Sequence, residues 1–69
     1  SMATKVEFST LRYEQVHGHK PRGYALWYFA LPGDVTLSYP GTYPAALRAI
    51  SRRLKRYGCP AEIRIQVYA

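Results

Sequence analysis

The stretch from Thr42 to Pro60 constrains the fold more than any other part of the chain. Tyr43, Leu47, Ile50, Leu54 and Tyr57 recur at spacings of four, three, four and three, which lays them along one face of an α-helix. Ala46 widens that stripe. Thr42 is a good N-cap, and Pro44 falls in the first turn, where its missing N–H costs nothing. Gly58 suits the left-handed residue that ends a helix, and Pro60 prevents continuation. The spacing therefore predicts an amphipathic helix over 43–57, whose apolar stripe needs a β-layer or another helix to cover it.

The flanking segments supply strands. All eight residues from Tyr24 to Leu31 are apolar or aromatic, which predicts a central strand or one with a face against a partner. Pro32-Gly33-Asp34 ends it and is short enough for a hairpin into a strand of alternating Val35, Leu37 and Tyr39, which Pro40-Gly41 should stop. Ile63, Ile65 and Val67 alternate with Glu62, Arg64, Gln66 and Tyr68 in a last strand over 62–68. The first segment, 5–16, reads as a strand in which Val6 and Phe8 face one way and Leu11 and Tyr13 the other. A bulge near Ser9-Thr10, or a strand apolar on both faces, accounts for that slip. Residues 17–23 carry two glycines and a proline and read as a turn or mobile loop. The expected fold is α+β: a four-stranded sheet in the order β-β-β-α-β, with one helix packed on one face.

Size sets further bounds. The chain has 69 residues and a mass of 7.9 kDa, which fits one small domain over 1–69, with 1–4 read as a disordered or cloning-derived leader. Such a chain buries only about 60% of its unfolded surface, so a deep, walled active site is not expected. No apolar run is long enough to span a membrane, and the start lacks the basic-then-apolar pattern of a signal peptide. Cys59 stands alone, so no internal disulfide forms; a cytoplasmic, reducing setting is expected, with Cys59 as a small filler after the helix.

Charge points to partners. Ten Lys and Arg face four acids, giving a net charge of +6, and seven of the ten are Arg. A pI near 9.8 on one domain is the electrostatic footprint of a nucleic-acid binder, and it also suits an acidic protein partner or a membrane surface. The helix holds five cations and no acid: Arg48, Arg52 and Lys55 lie opposite Ile50, with Arg56 alongside and Arg53 on the flank. Like charges three and four apart repel on a helix, so this face is either a site for phosphate or carboxylate or simply a solvated surface. Strand parity places Tyr24, Tyr28 and Ala30 outward from the second strand, and Arg64, Gln66 and Tyr68 outward from the last. Tyrosine beside arginine on an open sheet can stack bases. The same Tyr24, Tyr28 and Tyr68 equally suit a homodimer seam.

Lys20 and Arg22 on the loop, and Arg12 on the first strand, add candidate phosphate contacts. His17 and His19 are too few for a metal site, and no Cys or Asp stands near them in sequence to complete a set. The acids Glu7, Glu14, Asp34 and Glu62 are scattered rather than paired, and neither a nucleophile elbow nor a phosphate loop is present. The catalytic alternative is a small basic nuclease with His17 or His19 as general base. No catalytic role, cofactor or metal is expected.

Two resemblances bear on topology and role. Gly23-Tyr24 opens the aromatic strand, Leu31-Pro32-Gly33 closes it, and Thr42-Tyr43-Pro44-Ala45-Ala46-Leu47 begins the helix. Over roughly residues 24–54 this resembles the HicB-like antitoxin domain, whose signature is an aromatic strand ending in Leu-Pro-Gly and a Thr-x-x-x-Ala-Leu helix start. That resemblance implies a β-β-β-α-β, partial ribonuclease-H-like sheet and an antitoxin-like role. Arg22-Gly23, Trp27 and Gly41-Thr42-Tyr43 also resemble the three-stranded DNA-binding domain of plant ethylene-response factors and some integrase arms. That second likeness implies a sheet laid in the DNA major groove.

Two expectations follow. The first is a non-catalytic basic module that binds DNA or RNA through Arg12, Lys20, Arg22, Arg48, Arg52, Lys55, Arg56 and Arg64. The second is a protein-interaction module, antitoxin-like or a phage- or plasmid-type inhibitor, that grips an acidic or nucleic-acid-handling partner.

Overall fold

The computed structural model describes residues 5–57 and 62–69, together with all side chains there except that of Tyr57. Residues 1–4, and with them the expectations for Gly58, Cys59 and Pro60, lie outside the described residues. The elements run β1 (Lys5–Ser9), α1 (Leu11–His17), β2 (Tyr24–Leu31), β3 (Val35–Thr42), α2 (Tyr43–Tyr57) and β4 (Glu62–Tyr68). The α+β class and the four strands are as expected. The second helix is not: the order is β-α-β-β-α-β rather than β-β-β-α-β.

The four strands form one mixed sheet in the order β1-β4-β2-β3. β2 and β3 make the expected antiparallel hairpin, from Leu31↔Val35 to Tyr24↔Thr42. Gly33 and Asp34 turn it with φ of 83° and 59°, a region open to glycine and tolerated by aspartate. β4 is the keystone. It lies antiparallel to β2 through Tyr28↔Tyr68, Phe29↔Val67 and Ala30↔Gln66, and parallel to β1 from Lys5↔Glu62 to Ser9↔Gln66.

One face of this sheet is covered and the other is bare. Val6 and Phe8, Ile63, Ile65 and Val67, Trp27 and Phe29, and Leu37 and Tyr39 line the covered face. Ala46, Ile50 and Leu54 of α2 are buried against them, as the helix spacing requires. Both helices lie on this side: Tyr43 of α2 and Tyr13 of α1 approach the Trp27 ring at centroid distances of 5.0 and 5.5 Å.

α1 replaces the second half of the expected first strand. The parity break at Ser9-Thr10 marks the point where the chain leaves the sheet, not a bulge within it. The Glu14 N–H donates to the Thr10 carbonyl at 2.9 Å, and the Gly18 N–H donates to Glu14 O at 2.8 Å, with Gly18 in the left-handed cap conformation at φ 76°. Of this segment's apolar residues Tyr13 is buried, whereas Leu11 and Val16 are exposed. Arg12 therefore sits on a helix rather than a strand, and His17 ends that helix rather than opening the loop.

β3 also runs further than expected, through Pro40 and Gly41 to Thr42. It is an edge strand, where a proline need not donate to a ladder on both sides. Gly41 is buried with φ 154°, and a Cβ there would stand 2.9 Å from Tyr39 Cε1. The Trp27 indole N–H donates to the Gly41 carbonyl at 2.8 Å, tying the sheet to the start of α2. Thr42 then caps α2 directly, accepting the Ala45 N–H at Oγ1 at 3.4 Å.

Candidate functional site

α2 presents its cations on the side away from the sheet. Arg48, Arg52, Arg53, Lys55 and Arg56 are all exposed, and none of them makes a salt bridge or side-chain hydrogen bond to a carboxylate among the described residues. Four like-charge pairs stand three or four residues apart: Arg48–Arg52, Arg52–Lys55, Arg52–Arg56 and Arg53–Arg56. At about 0.2–0.5 kcal/mol each they cost the helix about 1–2 kcal/mol. Lys55 and Arg56 recover part of this by lying in the last turn, at the negative end of the helix dipole. A surface that repels itself in this way is not explained by stability.

Three of these side chains share a recess. Arg52, Arg53 and Arg56, with Ala49, meet Tyr39 of β3 around an open groove of about 420 Å³. The edge strand forms one wall and α2 the other. The guanidinium fork suits bidentate contact with phosphate or carboxylate oxygens, and the half-buried Tyr39 ring adds an aromatic wall. Arg52 and Arg56 were legible as site residues from charge. From sequence Arg53 reads only as flanking that face, and Tyr39 only as one of the alternating apolar residues of its strand. Their convergence depends on α2 lying along the β3 edge, which no local sequence signal reveals.

The other candidate cations are placed differently. Arg64 donates from Nε to Glu7 Oε1 at 2.8 Å across the β1–β4 pair, so its charge is already engaged. Lys20 lies 3.9 Å from Glu14 Oε2, a loose surface contact. Arg12 and Arg22 are exposed on α1 and on the loop before β2. A smaller hollow of about 240 Å³ near Lys5, Glu7, Glu62 and Arg64 holds two acids and two bases and so has no net charge.

The histidines gather around Tyr13. His17 stacks on its ring at 4.1 Å, His19 meets it edge-on at 5.7 Å, and the two imidazole centroids are 6.0 Å apart. A His17 ring nitrogen lies 3.3 Å from the Ala69 carbonyl, and His19 Nδ1 lies 2.8 Å from that of Lys20. Both rings are thus engaged with the backbone. No group of three or more His, Cys, Asp or Glu side chains is placed to hold a metal ion among the described residues.

The three tyrosines assigned to the open face, Tyr24, Tyr28 and Tyr68, are exposed there. Leu26, of the same parity, joins them and is also exposed. Among the described residues no helix is long and apolar enough to cross a membrane. Comparison with protein families, characterised proteins and solved structures gives no match.

Proposed function

We propose that this chain is a small, non-catalytic basic module that binds nucleic acid through arginine–phosphate contacts centred on α2. The observation that carries the reading is the groove in which Arg52, Arg53 and Arg56 converge with no carboxylate to neutralise them among the described residues. Arg48 and Lys55 extend the cationic surface along the same helix. Arg12, Lys20, Arg22 and Arg64 play a lesser part, since two of these four already contact acids. The sheet face, where Arg64 is paired with Glu7, is the poorer site for a polyanion. A single cysteine accords with a reducing, cytoplasmic setting.

Salt dependence tests this. If the five α2 cations each neutralise one phosphate, log-affinity falls against log salt with a slope of about −4.5 on duplex and about −3.5 on a single strand. Raising salt from about 50 to about 200 mM then weakens duplex binding about 500-fold. Fluorescence anisotropy against labelled duplex and single-stranded DNA and RNA reads both quantities. Absence of binding to all four at the lower salt would remove the proposal.

A further inference from the structure

The bare face of the sheet is as unlike α2 as one small molecule allows. Tyr24, Leu26, Tyr28 and Tyr68 stand there 78%, 47%, 40% and 40% exposed. They are contiguous: Tyr28 pairs with Tyr68 across β2–β4, and Leu26 pairs with Pro40 across β2–β3. Exposed apolar patches of this kind mark interfaces, where tyrosine is enriched.

Charge decides what fits the patch. Among the described residues the ionic side chains on the strands of this face are Lys5 and Glu7 on β1, and Glu62 and Arg64 on β4, and they sum to zero. Glu7 and Arg64 are joined at 2.8 Å, and Lys5 stands opposite Glu62 in the register. A polyanion finds no surplus cation there. A second copy of the same surface finds both signs, which a two-fold axis can match to each other.

The net charge of +6 does not oppose such pairing. Sheets stack about 10 Å apart, and α2 adds a further layer of similar thickness on each side. The two α2 faces would then lie about 30 Å from each other, more than three Debye lengths at physiological salt. We infer that two copies of this chain associate back to back through their open sheet faces, with Tyr28 close to the two-fold axis and both cationic grooves outward. Four strands at about 4.8 Å and five to eight residues at about 3.3 Å give each face roughly 400 Å² in projection. With side-chain relief the pair buries on the order of 1,000 Å², at the low end of specific interfaces. The dimer is therefore weak, with a dissociation constant on the order of 10–100 µM. This inference is independent of what α2 binds.

Sedimentation equilibrium of the full chain tests it over roughly 5–500 µM. The expected result is a rise from the 7.9 kDa of one chain towards about twice that mass. Leu26→Lys with Tyr28→Lys should hold the mass at one chain throughout, while Arg52→Gln should leave dimerisation unchanged. A milder pair, Tyr24→Ser with Leu26→Ser, should weaken the dimer at least tenfold with an unaltered circular dichroism spectrum, which separates loss of contact from loss of fold. A single-chain mass at the highest concentration would overturn the inference, as would a dimer unaffected by both paired variants. So would an oligonucleotide that splits the dimer and protects the Tyr28 ring, since that would assign the face to nucleic acid.

Discussion

Replacing Arg52 by glutamate should make this protein more stable and a worse binder. Arg52 has cationic neighbours at three helical contacts: Arg48 four residues before, Lys55 three after and Arg56 four after. Each like-charge pair costs about 0.2–0.5 kcal/mol, and an opposite pair gains a similar amount. Reversing one member of three pairs therefore swings helix stability by about 1–3 kcal/mol at low salt. For a domain of this size that raises the melting temperature by about 5–20 °C. The gain should shrink at about 1 M salt, where the screening length falls to about 3 Å. Binding should move the other way, because Arg52 lines the groove with Arg53 and Arg56. Losing one phosphate contact makes the duplex salt slope shallower by about 0.9, and the new carboxylate repels the backbone as well. Thermal melts by circular dichroism at two salt concentrations, paired with anisotropy titrations, read both effects on one protein. A variant that melts lower than the parent would refute the reasoning, since Arg52 would then be serving the fold, and so would one that binds nucleic acid as well as the parent, since Arg52 would then lie outside the binding site.

Two further outcomes concern the scaffold that holds α2 in place. Gly41→Ala should cost about 1–3 kcal/mol, because φ 154° disfavours any side chain and the new Cβ would meet the Tyr39 ring at 2.9 Å. Urea denaturation checks it, and an unchanged midpoint would show that β3 relaxes freely there. Burial pushes the Tyr43 phenol above its ordinary pKa of 10.0. The folded state therefore binds more protons than the unfolded state above that pH, so this contribution to stability is complete below it and is lost as pH rises through the raised value. Urea midpoints for the parent and Tyr43→Phe at about pH 8 and about pH 11 should show a smaller alkaline loss in the variant. Equal losses would contradict the assignment.

Much of the architecture could be read from local pattern because its causes are local. The stripe from Tyr43 to Leu54, the Thr42 cap and the alternation of Ile63, Ile65 and Val67 each require only neighbours in sequence. α1 was hidden because its seven residues bury one side chain, Tyr13, and its two aliphatic residues point to solvent. No amphipathic stripe exists in it to be found. Sheet order was hidden for a different reason. The parallel pairing of β1 with β4 joins segments 57 residues apart at Glu7 and Arg64, and nothing in either strand names its partner. Pro40-Gly41 looked like a stop because proline is excluded from central strands; on an edge strand it is tolerated, and Gly41 is there to pass close under Tyr39. The charged face of α2 was legible in full, yet its groove was not, since Tyr39 reaches it from another element.

The central claim is that nucleic acid meets α2 and its groove with β3, not the tyrosine-bearing face of the sheet. Mapping ¹H–¹⁵N chemical shifts while an oligonucleotide is added tests it residue by residue. The account expects the amides of α2 and Tyr39 and the Nε–H signals of Arg52, Arg53 and Arg56 to move together, with Tyr24, Tyr28 and Tyr68 still. Shifts concentrated on β2 and β4 with α2 unmoved would contradict it.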